Sequence, residues 1–295
     1  MVTAVAELGS LSMHKTITVA MAAASLLALS ACRQTTVGGN EAGNAAGENA
    51  TAAAGQGING TWKADLATVK IDQKPDQLML NGGQFSCPTC TPPITLAADG
   101  AFHPVTRPYA DSMSVKVDDD HNVTRTSKKG TTVTGVSKYS VSSDGNTLTI
   151  DFTDSSTPNA PPVKGSFVET RAGPAPAGAH AISGSWKPEK YSNINDEALT
   201  TTYSVDANMI HMSSPAGQSY DAKLDGTDTP IKGDTAGTTA SVKKVGDNSY
   251  EETDKRDGKV VSVSTFTVGA DGKMHVKSVD KRNDSTMTYD LNRQS

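Results

Sequence analysis

Apolar and polar residues alternate along most of the chain, and steps rich in Gly, Asn and Asp separate the alternating runs. Leu199, Thr201, Tyr203 and Val205 alternate with polar neighbours, and similar short runs continue toward the C-terminus. Turn steps such as Asp257-Gly258 lie between them. Alternation with a period of two predicts half-buried strands, and Asp-Gly steps between such runs predict hairpin turns. The pattern therefore predicts antiparallel strands and no long helix.

The chain repeats itself. The stretch Ile58-Asn59-Gly60-Thr61-Trp62-Lys63 returns as Ile182-Ser183-Gly184-Ser185-Trp186-Lys187, so both tryptophans of the chain occupy the same place in their repeats. Self-similarity at a fixed offset is the mark of a duplicated module. Each copy carries about eight predicted strands with hairpin-length loops, and closing such a meander into a barrel removes its exposed edges. We predict an all-β protein with two tandem antiparallel barrels, over residues 58–171 and 182–295.

Two segments interrupt the strand pattern. Residues 32–57 are low in complexity, since thirteen of the twenty-five residues from Arg33 to Gly57 are Gly or Ala. Such a segment cannot bury enough surface to offset its ordering entropy, and as a flexible tether it reaches about 25–30 Å. Residues 172–181 are rich in Pro, Ala and Gly, and they form a stiffer linker between the predicted barrels.

The N-terminal segment, residues 1–31, is predicted to be a signal peptide. Met13-His14-Lys15 supplies a basic start, and sixteen uncharged residues follow from Thr16 to Ala31. This run is shorter than the roughly 20 residues that span a bilayer, and it ends in small residues as secretory signals do. Residues 1–12 fit a signal poorly, so we expect translation to start at Met13 rather than at Met1.

The end of this segment, Leu29-Ser30-Ala31-Cys32, resembles the lipobox of bacterial lipoproteins. The resemblance implies that the sulfur of Cys32 carries a diacylglycerol and that the signal is cut just before it. In that family an aspartate after the cysteine retains the protein in the inner membrane. Arg33 occupies that place here, which implies a lipid anchor in the outer membrane with the folded body facing the periplasm.

A Gly-x-Trp sequence that opens an eight-strand meander is similar to the first strand of lipocalins and their bacterial relatives. In that family the tryptophan packs at the closed end of the barrel, beneath an arginine from the last strand. Arg171 and Arg293 each end one repeat, four residues after Phe167 and Tyr289. The resemblance therefore implies two structural barrel ends, and we expect Arg171 over Trp62 and Arg293 over Trp186.

Cys87-Pro88-Thr89-Cys90 is the strongest candidate for chemistry. A Cys-x-x-Cys pair forms a disulfide, a redox-active dithiol or half of a metal site, depending on its surroundings. Here prolines follow, the neighbourhood is strand-like, and the second repeat builds a similar turn without sulfur. We expect a structural disulfide, and we keep redox catalysis and metal binding as alternatives.

The remaining sequence contains no further catalytic pattern. Asp118-Asp119-Asp120 begins like a calcium loop but lacks the Gly and Glu that the EF-hand requires, and the histidines are scattered. We therefore predict no metal, no cofactor and no enzymatic activity. The formal net charge of −5 argues against a nucleic-acid partner, since phosphate binding depends on clustered Lys and Arg.

Three functions remain as hypotheses. The first is non-catalytic binding of a small apolar ligand or an envelope component by a membrane-anchored protein, because an eight-strand barrel can hold one small ligand and aromatic residues make up only 5% of the chain. The second is a structural or protein-interaction module with solid barrels. The third is a thiol oxidoreductase that uses Cys87 and Cys90.

Overall fold

The structure, a computed structural model, describes residues 57–295 and consists almost wholly of β-sheet. The predicted signal peptide, the lipidation site Cys32 and the tether up to residue 56 lie outside the described residues. Within the described part, the single α-helix is α1 (Asp196–Leu199). No helix in residues 57–295 is long and apolar enough to cross a membrane. The all-β prediction is confirmed.

Twenty strands form two antiparallel sheets of ten strands, and each sheet curls into a nearly closed barrel. The strands of the first barrel are β2 (Asp76–Asn81), β3 (Gln84–Cys87), β4 (Ile94–Ala97), β5 (Asp99–Arg107), β6 (Ala110–Val117), β7 (Asn122–Lys129), β8 (Thr132–Val141), β9 (Thr147–Asp154), β10 (Val163–Arg171) and β11 (Gly184–Ser192). The strands of the second barrel are β1 (Gly60–Asp72), β12 (Thr200–Asp206), β13 (Met209–Ser213), β14 (Ser219–Lys223), β15 (Thr229–Pro230), β16 (Thr239–Gly246), β17 (Ser249–Arg256), β18 (Lys259–Val268), β19 (Met274–Asp280) and β20 (Thr286–Arg293).

Two tandem barrels were predicted and are confirmed, but each contains ten strands rather than about eight. Part of the difference is β15, whose two residues are too few to show an alternating pattern. The ends of the second sheet meet where Ser219 and Lys232 exchange backbone hydrogen bonds of 3.1 and 2.8 Å. This contact nearly closes the barrel and protects its edge strands.

The strand order does not follow the sequence repeats. The first sheet has the order β4-β3-β2-β11-β10-β9-β8-β7-β6-β5, and the second has the order β14-β13-β12-β1-β20-β19-β18-β17-β16-β15. The strand that opens the second repeat, β11, therefore lies in the first barrel. The strand that opens the first repeat, β1, lies in the second barrel. Neither predicted unit, 58–171 or 182–295, contains a whole sheet.

Chain connectivity accounts for this arrangement. Strands β2 to β11 are consecutive, so the first barrel is one continuous stretch in which β11 folds back against β10. Consecutive antiparallel strands usually pair as neighbours, and the connection 172–183 between β10 and β11 is long enough for the reversal. Once β11 fills that place, β1 is left to close the second barrel between β12 and β20.

Each barrel has its own core, which is filled by large inward-facing side chains. Trp186, Tyr139 and Phe85 are at most 1% exposed in the first barrel, and Trp62, Tyr220 and Phe266 are at most 1% exposed in the second. Because interiors of this kind are close-packed, the side chains themselves occupy the centres of the barrels.

The two barrels contact each other through a polar and an apolar patch. The hydroxyl of Tyr109 in the first barrel donates to Asp234 of the second at 2.6 Å, and the guanidinium of Arg256 lies 5.3 Å from the Tyr109 ring. Beside them, Phe152 and Val163 pack with Ala198 and Ala216.

Candidate functional sites

One end of each barrel is closed by the same Trp–Arg arrangement. In the first barrel the guanidinium of Arg171 lies 4.1 Å from the centre of the Trp186 ring, and the two residues face each other across β10 and β11. In the second barrel Arg293 lies 4.1 Å from Trp62 across β20 and β1. Both distances are inside the roughly 6 Å range of a cation–π contact.

The expected pairing of these residues was wrong. We expected Arg171 over Trp62 and Arg293 over Trp186, within each repeat, but each arginine covers the tryptophan of the other repeat. The physical reason is the strand order, since β11 lies beside β10 and β1 lies beside β20. The sequence predicted that an arginine covers each tryptophan, but it did not predict which arginine covers which tryptophan.

Hydrogen bonds hold each arginine in place over its ring. Arg171 donates to the carbonyl oxygens of Ser183 and Ala181, both at 2.8 Å, and the indole N–H of Trp186 donates to Ile182 at 2.8 Å. Trp62 donates in the same way to Ile58 at 2.8 Å, and Arg293 donates to Gly57 at 2.7 Å. The N–H groups of the buried indoles and of the partly buried guanidiniums thus have hydrogen-bond partners.

The glycine of each Gly-x-Trp sequence is required by this contact. At Gly184 the backbone has φ +135°, and a Cβ there would lie 2.6 Å from Nη1 of Arg171. Gly60 has φ +124° and the same 2.6 Å approach to Arg293. Only glycine takes this backbone conformation at no steric cost and leaves room for the guanidinium.

Cys87 and Cys90 form a disulfide at the end of β3. Cys87 is fully buried and Cys90 is 2% exposed, and both belong to the core cluster of the first barrel. The backbone N–H of Cys90 donates to the carbonyl of Cys87 at 3.3 Å, as in a tight turn. A redox-active cysteine needs a partly exposed sulfur, and these sulfurs are enclosed.

A pair of buried carboxyl groups lies inside the first barrel and was missed in the sequence. Asp76 begins β2 and is 1% exposed, and Glu169 on β10 is 0% exposed. Their strands flank β11, so both side chains enter the core beside Trp186. The signal was present in Phe167-Val168-Glu169, where a charged residue takes an inward position of an alternating strand.

The two carboxyl groups interact with each other. Burial raises the pKa of Asp76 to about 7, against smaller opposing effects of hydrogen bonds from Thr89 and Gln73. Burial, and then the charge of Asp76, hold the pKa of Glu169 well above its usual range. Two buried carboxylates in contact cannot both carry a free negative charge. A proton or another positive charge must therefore lie between them.

The neighbours of this pair supply few hydrogen-bond donors. Gln73 donates from its amide nitrogen to Asp76 at 2.8 Å, and the hydroxyl of Thr89 donates to Asp76 at 3.2 Å. Within residues 57–295, neither carboxyl oxygen of Glu169 receives a hydrogen bond from an N–H group or a hydroxyl. The buried amide oxygen of Gln73 and the hydroxyl of Tyr139 also have no partner in that range.

The outer face of the second barrel carries a groove of about 670 Å³. Strands β1, β18, β19 and β20 form its floor, where β1 departs from regular pairing between Asp65 and Lys70. Its lining consists mainly of hydroxyl-bearing and charged side chains, with Val276 and Tyr289 beneath: Thr68, Lys70, Thr265, Thr267, His275, Lys277, Thr288 and Asp290. The groove is therefore lined by polar and charged residues, exposes much of their apolar carbon surface, and is open to solvent.

The groove carries positive charge on an acidic protein. Lys70 and Lys277 are exposed, and no carboxylate of the described chain forms an ion pair with either. His275 bonds to Asp290 through Nδ1 at 2.8 Å, and this hydrogen bond raises the pKa of the imidazole. Nε2 of His275 also lies 3.4 Å from Asp271, so both ring nitrogens already face carboxylates. The two lysines are left to hold an anionic group among the threonine hydroxyls.

The first barrel presents a different surface at the same register. Tyr139, Ile150 and Phe167 face one another across β8, β9 and β10, as Phe266, Val276 and Tyr289 do across β18, β19 and β20. This alignment places Asp151 where the second barrel has Lys277. Asp151 accepts a hydrogen bond from Ser166 at 2.6 Å. The basic groove is thus a property of one copy and is not dictated by the fold.

Comparisons with known proteins identify no relative: no protein family, no curated protein and no solved structure matches the chain. Residues 57–295 also contain no group of three or more His, Cys, Asp or Glu side chains arranged to hold a metal ion. The candidate sites therefore rest on their own geometry.

The Trp–Arg contacts give a test of the barrel ends. Replacing Arg293 by Met removes a cation–π contact and charge-assisted hydrogen bonds, and we expect it to lower the free energy of unfolding by about 2–4 kcal/mol. Fluorescence during denaturant unfolding reads out the change, because each barrel holds one of the two tryptophans. Measured in a Trp186→Phe background, the transition reported by Trp62 should move to lower denaturant.

The matched variant is Arg171→Met, which should move the transition reported by Trp186 in a Trp62→Phe background. Arg→Lys at either position keeps the charge but loses the planar group, and it should recover little of the stability. If Arg293→Met instead moved the Trp186 transition and left the Trp62 transition in place, the observed pairing would be contradicted.

Proposed function

We propose that the protein is a non-catalytic bacterial lipoprotein of the cell envelope, and that it binds an anionic, hydroxyl-rich envelope polymer in the outer groove of its second barrel. Acyl chains on Cys32 anchor it in the outer membrane, and residues 33–57 tether the barrels in the periplasm. The lipobox-like sequence supports the anchor and the groove supports the binding role. The polymer class that fits is the cell-wall glycan, which carries hydroxyl, amide and carboxylate groups.

The groove of about 670 Å³ is the observation that carries the binding role. Lys70 and Lys277 lie beside four threonines in a concave surface, and that combination complements a polymer with hydroxyls and negative charges. The lysines are available to a ligand, since no acidic side chain of the described residues pairs with them.

The barrel interiors favour an outer site over an inner one. Side chains as large as Trp62, Trp186, Tyr139 and Tyr220 are at most 1% exposed and occupy the centres of the two barrels. A ligand pocket is ordinarily a cleft of about 300–1,000 Å³. The grooves of about 670 and 510 Å³ both have outward-facing linings, the second formed by residues such as Met79, Pro88 and Ser185. The proposal is accordingly an interaction module with solid barrels.

The lipid anchor is tested by replacing Cys32 with Ser. The native protein should partition into the detergent phase of a phase-separating detergent, and mass spectrometry should find an acylated N-terminal cysteine at position 32. Two acyl chains give durable membrane binding, whereas a protein without them has no comparable anchor. Cys32→Ser should therefore remain in the aqueous phase. A native protein that stays aqueous, or that keeps residues 1–31, would contradict the anchor.

The binding role is tested by sedimentation with purified, insoluble cell-wall glycan. Replacing Lys70 by Ser and Lys277 by Asp, the residue of the first barrel at that register, removes two positive charges and adds one negative charge. We expect the dissociation constant to rise about tenfold or more, since 1.4 kcal/mol corresponds to a factor of ten. The binding of the native protein should also weaken as salt concentration rises.

Lys138→Ser provides the matched control, because Lys138 lies on the corresponding outer face of the first barrel. This variant should bind as the native protein does. Equal binding by the native protein and the Lys70→Ser/Lys277→Asp variant would contradict the proposed groove, and absence of binding by the native protein would contradict the polymer class.

A further inference from the structure

The carboxyl pair inside the first barrel is separate from the outer groove, and the fold does not require it. Asp76 lies opposite Trp186, and the residue opposite Trp62 at the same register in the second barrel is Thr201. Glu169 lies two residues before Arg171, and Leu291 lies two residues before Arg293. Thr201 and Leu291 are 2% and 3% exposed, so the second barrel closes over a neutral core at these places.

Two buried carboxyl groups at positions where the second barrel has neutral residues lower the stability of the first barrel. A buried charge without a partner costs several kcal/mol, and a buried polar group without a hydrogen bond also costs free energy. Glu169 is fully buried, and no N–H group or hydroxyl in residues 57–295 donates to it. The core of the first barrel also contains the positive charge of Arg125, whose guanidinium lies 5.6 Å from the Tyr139 ring. Unsatisfied buried oxygens of this kind call for an ion or a water.

The oxygens around the pair are those of a hard-cation site. Gln73 donates its amide nitrogen to Asp76, and the amide oxygen of the same side chain is buried without a donor. Thr89 places a hydroxyl 3.2 Å from Asp76. The buried hydroxyl of Tyr139 has no hydrogen-bond partner in the described structure. Carboxylate and amide carbonyl oxygens are ligands that calcium prefers, and the set offers the oxygens of two carboxyl groups and one amide.

We propose that the carboxyl groups of Asp76 and Glu169, together with the amide oxygen of Gln73, bind a hard divalent cation such as calcium inside the first barrel. The cation neutralises both carboxylates and satisfies oxygens that a single shared proton leaves without partners. It links β2, which carries Asp76, to β10, which carries Glu169, on the two sides of β11. The bound ion therefore stabilises the barrel at the strand contributed by the second repeat.

Calcium alone is the probe, and the mature full-length protein is the sample. After treatment with a chelator, added calcium should raise the melting temperature of the transition reported by Trp186 by about 5 °C or more. The transition reported by Trp62 should move less. Terbium, which substitutes for calcium, should give luminescence excited through the aromatic side chains, and calcium should reverse it.

Two variants separate binding from folding. Asp76→Thr/Glu169→Leu copies the residues of the second barrel, and Asp76→Asn/Glu169→Gln keeps the shapes without the charges. Both should lose the calcium-induced shift and the terbium signal. The control is Glu252→Gln in the second barrel, where Glu252 accepts a hydrogen bond from Tyr220 at 2.6 Å. That variant should keep both responses.

A native protein that shows neither a thermal shift nor terbium luminescence would overturn the proposal, and the pair would then hold only a proton. A response of unchanged size in both double variants would also overturn it, because the ion would bind elsewhere. Neither outcome bears on polymer binding by the outer groove, which is measured in the absence of calcium with Lys70→Ser/Lys277→Asp.

Discussion

The packing of one arginine over one tryptophan is the constraint on which both barrels depend. In each barrel the guanidinium occupies the space that the glycine leaves and donates to carbonyl groups that precede the tryptophan. The two Gly-x-Trp strands hold their arginines in the same geometry, with the guanidinium 4.1 Å from the indole ring in both barrels. Chain connectivity then decides the pairing, and it places β11 in the first barrel and β1 in the second.

Because of this pairing, each barrel contains a strand from the other repeat. The first barrel is continuous in sequence, whereas the second needs a strand from the far N-terminal side, so that β1 and β20 join the two ends of the described chain. The stability of the second barrel thus includes the entropic cost of closing the loop 73–199 between β1 and β12, and that cost grows only slowly with loop length. The chain enters the described structure next to β1, so it reaches the second barrel, on which the basic groove lies, before the first.

Much of this fold could be predicted from the sequence, because alternation encodes which face of a strand is buried. The alternating run from Leu199 to Val205 corresponds to β12. The Trp–Arg contact was expected because its residues recur at fixed places. Strand partners could not be predicted, since alternation does not specify which of two equivalent strands lies beside β10. The carboxyl pair was missed because Asp76 and Glu169 are far apart in sequence and meet only across β11.

Cysteine cross-linking measures the strand exchange most directly. Thr61 on β1 lies opposite Thr202 on β12, with their hydroxyl oxygens 2.9 Å apart, whereas Gln77 on β2 lies opposite Ser185 on β11. Under mild oxidation, Thr61→Cys/Thr202→Cys should form a disulfide that mass spectrometry detects between the two peptides, and Thr61→Cys/Gln77→Cys should not. A disulfide in the second variant without one in the first would contradict the exchange and return each opening strand to its own repeat.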